Sequence, residues 1–145
     1  MLDQIASVFH TLDKKVIAMS IFSDTQLRTQ LNDIVHPYVF DAINKQLMAL
    51  KDESIVVIDM PLLFEVGYQN QVDFTALIYV DEKTSKTRVI NRDHLEEDQA
   101  NARIKSQMPI EEKKALADFV LDNRGTKESL YQAIDQMLGS LKHEE

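Results

Sequence analysis

The eleven residues from Ile55 to Glu65 constrain the fold of this chain more than any other segment. They read Ile-Val-Val-Ile-Asp-Met-Pro-Leu-Leu-Phe-Glu. Four apolar β-branched residues in succession predict a strand buried on both faces, as in a parallel sheet covered by helices. Asp59 would then lie at the carboxyl end of that strand, where open α/β sheets bind ligands and where an acid can hold Mg²⁺ directly or through water. A helix N-cap or a turn is an equally open interpretation of this aspartate.

Composition indicates a globular domain. The chain has 145 residues, 44% of them hydrophobic, with only three glycines and three prolines, which suits one domain with a sizeable core and argues against disorder. There is no cysteine, so disulfides and thiolate sites are excluded, and a reducing, cytoplasmic location is expected. The sequence shows neither a secretory signal nor an apolar run long enough to cross a bilayer, so no membrane association is expected.

The charge is unevenly distributed. A net charge of −8 argues against nucleic acid binding through a broad basic face. The segment from Lys83 to Lys114, however, contains eight Lys and Arg residues and six Asp and Glu residues, so it has a small excess of positive charge. Such a local excess could receive a small polyanion such as a nucleotide phosphate, and the alternative is a solvated helical surface.

Hydrophobic periodicity predicts an α/β fold in which three strands alternate with helices. The first fifty residues are predicted to be helical, with a break at His36-Pro37 because proline removes a helical hydrogen bond and restricts the residue before it. Strands are predicted at 55–59, 74–80 and 119–121, and helices at 84–92, 95–107, 109–117 and from an N-cap at Thr126 to the end. This alternation predicts right-handed crossovers and a parallel sheet in a single domain, with a helical excursion at 84–117.

Two pairs of polar residues suggest a mobile lid over transferring phosphates. Arg88 and Arg92 are four residues apart on a predicted helix, so they share one face and could clasp phosphate oxygens. Arg103 and Gln107 repeat this spacing on the next predicted helix. The alternative is surface salt bridging with nearby acids, namely Glu96, Glu97 and Asp98.

Other polar residues leave two interpretations open. His36 could donate to a ligand or cap a helix end. Asn123, in a turn closed by Gly125, could read an adenine edge or form an Asx turn. The remaining histidines, His10, His94 and His143, show no metal-ligand spacing, so no zinc site is predicted.

No G-x-x-x-x-G-K-[ST] motif occurs in the sequence, whose only glycines are Gly67, Gly125 and Gly139. The backbone of that loop cradles nucleotide phosphates and its lysine reaches the β- and γ-phosphates. A P-loop kinase mechanism therefore cannot be complete on these residues alone.

Five elements, in order along the chain, nevertheless resemble motifs of the dephospho-CoA kinases. His36-Pro37 resembles the family's I-x-H-P element, and residues 59–65 resemble its D-x-P-L-L-F-E signature. Arg88 with Arg92-Asp93 resembles the R-x-x-x-R-D motif at the start of the family's lid. Residues 102–109 resemble the lid motif A-R-I-x-S-Q-M-P. Ala117-Asp118, with Asn123 and Gly125, resembles the closing motif A-D-x-V-[IL]-x-N-x-G. Together they cover most of the chain.

This resemblance implies a parallel-sheet P-loop kinase fold, truncated at its N-terminus. Residues 1–50 would form a helical CoA-binding part, residues 84–117 a lid, and the remainder the sheet core. The implied activity is transfer of the ATP γ-phosphoryl group to the ribose 3′-hydroxyl of dephospho-CoA, the last step of coenzyme A biosynthesis, with Mg²⁺ as cofactor.

The resemblance also implies roles for individual residues. Arg92, Arg88 and Asp59 are expected to be catalytic, the arginines by neutralising phosphate charge and Asp59 by ordering Mg²⁺ or its water shell. Arg92 is also expected to bind the nucleotide, with Asn123 and Gly125 near the ATP adenine. The residues expected to line the dephospho-CoA site are His36, Pro37, Pro61, Leu62, Leu63, Phe64, Glu65 and Arg103.

The sequence departs from the family pattern at its start. Family members begin with a strand and a G-x-x-G-x-G-K-[ST] loop, which would precede Met1, and that strand would lie between the strands at 55–59 and 74–80. We therefore expect an altered sheet, an oligomer formed through exposed sheet edges or marginal stability, and a chain that is inactive by itself. The alternative is a non-catalytic module that binds CoA or a nucleotide, or that has a regulatory role.

Overall fold

The computed structural model describes residues 1–141, apart from the side chains of residues 22 and 23. His143, one of the histidines for which no metal site is predicted, lies outside the described residues. The chain divides into two compact units, Met1–Asp59 and Met60–Glu145. The prediction of a single kinase domain stays a prediction.

The first unit consists of three helices: α1 (Leu2–Phe9), α2 (Lys14–Ser23) and α3 (Thr25–Ala49). The carboxylate of Asp13 accepts a hydrogen bond from the N–H of Lys15 at 2.8 Å and so caps α2. Asp24 caps α3 in the same way through the N–H of Gln26, which satisfies donors that a helix start leaves unpaired. α3 packs against both shorter helices.

The predicted helix break at His36-Pro37 is wrong. α3 runs without interruption from Thr25 to Ala49, with Pro37 in its interior. Proline removes one helical hydrogen bond, and the rest of this 25-residue helix remains bonded. His36 is therefore not an end cap; its ring lies 5.7 Å from that of Phe40.

The predicted strand at 55–59 is also absent. These residues have no regular secondary structure, and Val57 is 82% exposed. A buried parallel strand needs neighbours that accept and donate its backbone hydrogen bonds. In the described part of the chain no strand pairs with this segment, so its apolar residues lack the sheet that their pattern predicts.

The second unit holds a two-stranded parallel sheet, which confirms the α/β class and two of the three predicted strands. β1 (Ala76–Tyr79) pairs with β2 (Phe119–Asp122), with Ala76 opposite Phe119 and Tyr79 opposite Asp122. The strands are also joined just before they begin. The Asp118 carboxylate accepts hydrogen bonds from the N–H and the hydroxyl of Thr75 at 2.8 and 2.7 Å, and these bonds lower the pKa of Asp118.

In the described part of this unit, four α-helices accompany the sheet: α4 (Glu82–Asp93), α5 (Glu97–Lys105), α6 (Ile110–Leu116) and α7 (Lys127–Leu141). The predicted N-cap of the last helix is confirmed, because the Thr126 hydroxyl accepts a hydrogen bond from the N–H of Ser129 at 3.2 Å. Gln107 lies beyond the end of α5, so the predicted pairing of Arg103 with Gln107 on one helix is wrong. α6 packs on β1, α7 on β2, and α4 on α5.

The core of the second unit is small. Of the residues that the structure describes, its buried hydrophobic ones are Tyr68, Tyr79, Ala100 and Leu121. Among the described residues, no helix is both long enough and apolar enough to span a membrane.

Candidate active site

The carboxyl ends of the two strands form one edge of the sheet. Because the strands are parallel, the residues that follow Tyr79 and Asp122 emerge side by side. The N–H of Asn123 donates to the Tyr79 carbonyl at 2.8 Å, so the ladder continues to this point. Asp81 leaves the same edge and caps α4, accepting hydrogen bonds from the N–H and hydroxyl of Thr84; these bonds lower the pKa of Asp81.

Tyr79 organises the charges at this edge. Tyr79 is a buried residue, and its hydroxyl donates to Glu111 Oε1 at 2.6 Å. This hydrogen bond raises the pKa of Tyr79. Two cations lie over its ring: Lys114 Nζ is 4.7 Å and the Arg124 guanidinium carbon 5.4 Å from the ring centre. The protonated phenol of Tyr79 thus contacts both Glu111 and Lys114 of α6 and holds this helix beside the end of β1.

Arg124 is itself held by a neighbouring acid. Its guanidinium donates to both carboxylate oxygens of Asp122 at distances from 2.7 to 3.1 Å. This hydrogen bonding lowers the pKa of Asp122 to about 2. The Asx turn in this segment is formed by Asp122, whose carboxylate also accepts a hydrogen bond from the N–H of Arg124. Asn123 is the middle residue of this turn, and its side chain does not form the turn's hydrogen bond.

Arg88, which is expected to neutralise phosphate charge, is in direct contact with Asn123, which is expected to lie near the adenine. Arg88 Nη2 on α4 donates to the backbone carbonyl of Asn123 at 2.9 Å. Gly125 follows in an exposed bend, where an added Cβ would lie 2.8 Å from Ser129 Oγ. The side chain of Arg88 therefore ties the start of the predicted lid to the turn after β2.

Arg92 and Arg103 meet at one carboxylate. Arg92 donates to both oxygens of Asp93 at 2.7 and 2.9 Å, and Arg103 Nη1 donates to Asp93 Oδ2 at 2.6 Å. The Arg92 hydrogen bonds, with the charge of Arg103, lower the pKa of Asp93 to about 2. The acid that pairs with both arginines is thus Asp93, whereas Glu97 pairs with Lys86 at 2.8 Å.

Residues 61–67 form a compact turn before a short 3₁₀ helix (Tyr68–Gln71). Backbone hydrogen bonds close it, including Val66 N–H to Leu62 O at 3.1 Å. Gly67 ends it at φ 70°, in the left-handed region that favours glycine. In this turn Pro61 is exposed, whereas Leu62, Leu63 and Phe64 are half-buried.

Glu65 forms an ion pair with Lys113, a residue that the sequence motifs did not identify. Its Oε1 lies 2.7 Å from the Nζ of Lys113 on α6, and this lysine side chain is only 8% exposed. The sequence signal for the burial of Lys113 was helical spacing. Lys113 lies three residues after Ile110 and four before Ala117, so it shares the inner face of α6 with these apolar residues. Its buried amine also donates to the Pro61 carbonyl at 3.2 Å.

The remaining predicted site residues belong to the first unit. His36 and Pro37 lie in mid-α3 and Asp59 is exposed at the end of the unpaired segment. A single exposed carboxylate fits Mg²⁺, which is commonly bound by one or two carboxylates, substrate phosphates and several waters. Among the described residues, no group of three or more His, Cys, Asp or Glu side chains could hold a metal by itself.

These features define an α/β protein whose cationic side chains gather at the edge where this fold class binds ligands. The sequence profile of the dephospho-CoA kinases matches residues 3–129. The chain belongs to the dephospho-CoA kinase family.

Relatives named dephospho-CoA kinase support this membership. The chain is 45% identical over 136 residues to that of Shouchella clausii, covering 92% of this chain and 69% of the relative. It is 41% identical over 128 residues to the relative from Enterococcus faecalis, and this match covers 88% of this chain and 64% of the relative. It is 42% identical over 129 residues to the relative from Syntrophotalea carbinolica, and this match covers 88% of this chain and 60% of the relative. The chain thus spans about two thirds of their length or less.

Two solved structures resemble the fold. A Thermus thermophilus protein superposes with a TM-score of 0.81 at 31% identity, over 97% of this chain and 76% of that chain. A dephospho-CoA kinase from Campylobacter jejuni superposes with a TM-score of 0.62 at 27% identity, over 97% and 75%.

Proposed function

We propose that this chain carries the substrate-binding and lid residues of a dephospho-CoA kinase. The reaction is transfer of the γ-phosphoryl group of ATP to the ribose 3′-hydroxyl of dephospho-CoA. The observation that carries the proposal is the arrangement of arginines on α4. Arg88 contacts the turn after β2 while Arg92, one helical turn later, shares Asp93 with Arg103 of α5.

This arrangement suits the neutralisation of phosphate charge. Arg92 and Arg103 carry two positive charges against the single carboxylate of Asp93, and their side chains are 67% and 45% exposed. Guanidinium N–H groups therefore remain for phosphate oxygens, which they bind in a bidentate manner. Phosphoryl transfer depends mainly on such positioning and charge stabilisation.

The nucleotide base is assigned to the turn after β2. Asn123 is fixed through its backbone, with its N–H bonded to Tyr79 and its carbonyl to Arg88. Its side-chain amide makes no hydrogen bond within the part of the chain that is described, so both its donors and its acceptor can meet a purine edge. Gly125 leaves this turn without a side chain next to the base.

The acceptor substrate is assigned to the apolar turn at 61–65, namely Pro61, Leu62, Leu63, Phe64 and Glu65, together with His36, Pro37 and Arg103. Asp59 is the carboxylate that would hold Mg²⁺, directly or through water. When bound, this ion neutralises charge on the ATP phosphates. The assignments follow from the family motifs that these residues match.

We further propose that these 145 residues do not turn over by themselves, since they contain no phosphate-cradling glycine loop or its lysine. A cytoplasmic location and association through exposed sheet edges remain predictions. Ligand binding without turnover, even when the loop is restored, would instead favour a non-catalytic CoA-binding module.

Substitutions in an extended protein test the assignments; the extended protein is this chain preceded by a strand and a G-x-x-G-x-G-K-[ST] loop of the family. Arg92→Ala should lower kcat for dephospho-CoA phosphorylation about a hundredfold or more, because a charge that stabilises the transition state is lost. Asn123→Ala should raise the KM for ATP. Lys83→Ala is the matched control, since Lys83 is exposed on the same helix. Unchanged kinetics in the Arg92 and Asn123 variants would remove the assignments.

A further inference from the structure

Lys113 is a buried cation that the proposed reaction does not use. The residue is 6% exposed, although lysine is rarely buried unless its charge is paired. Its amine lies 2.7 Å from Glu65 Oε1 and donates to the Pro61 carbonyl at 3.2 Å. Both ends of the apolar turn 61–65 are thus held by one ammonium group on α6.

The same carboxylate oxygen makes a second contact. Glu65 Oε1 accepts a hydrogen bond from the N–H of Met108 at 2.9 Å. Met108 lies in the connection between α5, which carries Arg103, and α6, which carries Lys113. The Glu65 carboxylate therefore joins the turn 61–65, the α5–α6 connection and α6 itself.

α6 is in turn fixed to the sheet. Glu111 accepts a hydrogen bond from the Tyr79 hydroxyl at 2.6 Å, at the carboxyl end of β1. α6 therefore contacts both the end of β1 and the turn 61–65, and it fixes the position of the turn relative to the strand. Burying an ion pair contributes little net stability compared with an apolar pair, but removing one partner leaves an uncompensated charge.

We propose that Lys113 and Glu65 form a positioning pair that holds the turn 61–65 in the conformation that receives dephospho-CoA. This refines the expected role of Glu65, whose carboxylate acts through Lys113 and Met108 and does not contact the substrate. The pair also ties the connection that follows Arg103 to the acceptor site. The inference rests on the proposed function, because it assigns the turn to dephospho-CoA.

Steady-state kinetics of the extended protein test this pair. Lys113→Met should raise the KM for dephospho-CoA about tenfold, because a small misplacement of positioning groups is costly, while the KM for ATP changes by less than about twofold. Lys113→Arg keeps a cation at the same place and should recover part of the loss. Lys83→Ala, on exposed α4 surface, should match wild type.

A double variant separates positioning from folding. Lys113→Met alone leaves the Glu65 charge unpaired and should lower Tm, whereas Lys113→Met with Glu65→Gln removes both charges and keeps an acceptor for the Met108 N–H, so Tm should recover. The KM for dephospho-CoA should stay raised, since no ammonium group holds the Pro61 carbonyl. Recovery of KM together with Tm, or an unchanged KM in the single variant, would overturn the positioning role. A wild-type extended protein that does not phosphorylate dephospho-CoA would instead overturn the proposed function.

Discussion

Asp93 joins α4 and α5, the first two helices of the segment that we propose as a lid. Its carboxylate is 25% exposed and accepts hydrogen bonds from Arg92 of α4 and Arg103 of α5. Each arginine is thereby held in one orientation, which reduces the side-chain freedom that is lost when a phosphate binds. Asp93 thus preorganises the arginines that we assign to phosphate.

The lowered pKa of Asp93 predicts how this arrangement responds to acid. Its ordinary pKa of 3.8 falls to about 2 in the folded chain, so its ionised form stabilises the fold above the ordinary value and this contribution is lost as the pH falls through 2. The difference in unfolding free energy between wild type and Asp93→Asn should be constant above about pH 5 and shrink below it. Urea unfolding at several pH values measures this difference.

The matched control for this titration is Asp33→Asn, at an exposed position of α3. No ion pair of Asp33 is seen in the described part of the chain, so this substitution removes a carboxylate without breaking an ion pair. A wild-type to Asp93→Asn difference that stays flat down to pH 2 would contradict the folded-state ion pairs of Asp93.

Sequence spacing predicts that Arg88 and Arg92 lie on one face of a helix, but it does not predict which residues they contact. A four-residue interval places Arg88 and Arg92 on one face of a helix, and this follows from helical geometry alone. The partners of Arg103 and Lys113 depend on how separate elements pack, and local patterns do not encode that packing. In the sequence, Lys113 is one of eight cations between Lys83 and Lys114, and no local pattern identifies Glu65 as its partner.

At the scale of elements, α3 shows that a proline need not end a helix. Pro37 lies 12 residues from the helix start at Thr25 in a 25-residue helix, so many regular hydrogen bonds remain on either side. The missing N–H leaves the carbonyl of Asp33 without its helical donor. Such a costly residue in a helix interior is expected where it serves a ligand, as the family motif implies for His36-Pro37.

Replacing this proline should therefore separate stability from function. Pro37→Ala is expected to stabilise the fold by up to about 3 kcal/mol, because it restores the helical hydrogen bond and removes the steric clash. In the extended protein it should also raise the KM for dephospho-CoA. Urea unfolding and kinetics measure the two effects.

Val39→Ala provides the control on the same helix, because Val39 is 41% exposed and its loss should change stability by less than about 0.5 kcal/mol. Pro37→Ala protein that is less stable than wild type would show that the proline fits its place in α3 better than alanine. An unchanged KM would remove Pro37 from the acceptor site.

The segment 55–59 shows the limit of element prediction. Its β-branched run has the composition of a buried strand, yet no ladder forms and Val57 is 82% exposed. The two strands at 76–79 and 119–122 were predictable because each finds the other as a partner. Strand formation thus depends on residues far away in the sequence, which a local pattern cannot supply.

At the scale of the whole molecule, the two-stranded sheet leaves apolar side chains of the second unit exposed among the described residues. Phe74 and Ile78 are each 46% exposed and Val120 is 39% exposed, and in the described residues β1 has only β2 as a neighbour. An open strand edge with exposed apolar side chains favours pairing with another chain.

We therefore predict that this chain self-associates in a concentration-dependent manner. Sedimentation velocity over a tenfold or wider concentration range measures this association. Ile78→Lys should weaken it, because a charge on an edge strand opposes pairing, whereas Lys127→Glu at an exposed α7 position should not. A monomer that unfolds in a single cooperative transition at all concentrations would count against the prediction.

The most direct test of the central claim is a coupled kinase assay with dephospho-CoA and Mg·ATP on two proteins. One is this chain and the other is the extended protein with its phosphate loop restored. We predict turnover of dephospho-CoA to its 3′-phosphate by the extended protein only. Turnover by this chain alone would contradict the requirement for the loop, and an extended protein that folds and binds ATP yet does not phosphorylate dephospho-CoA would contradict the proposed function.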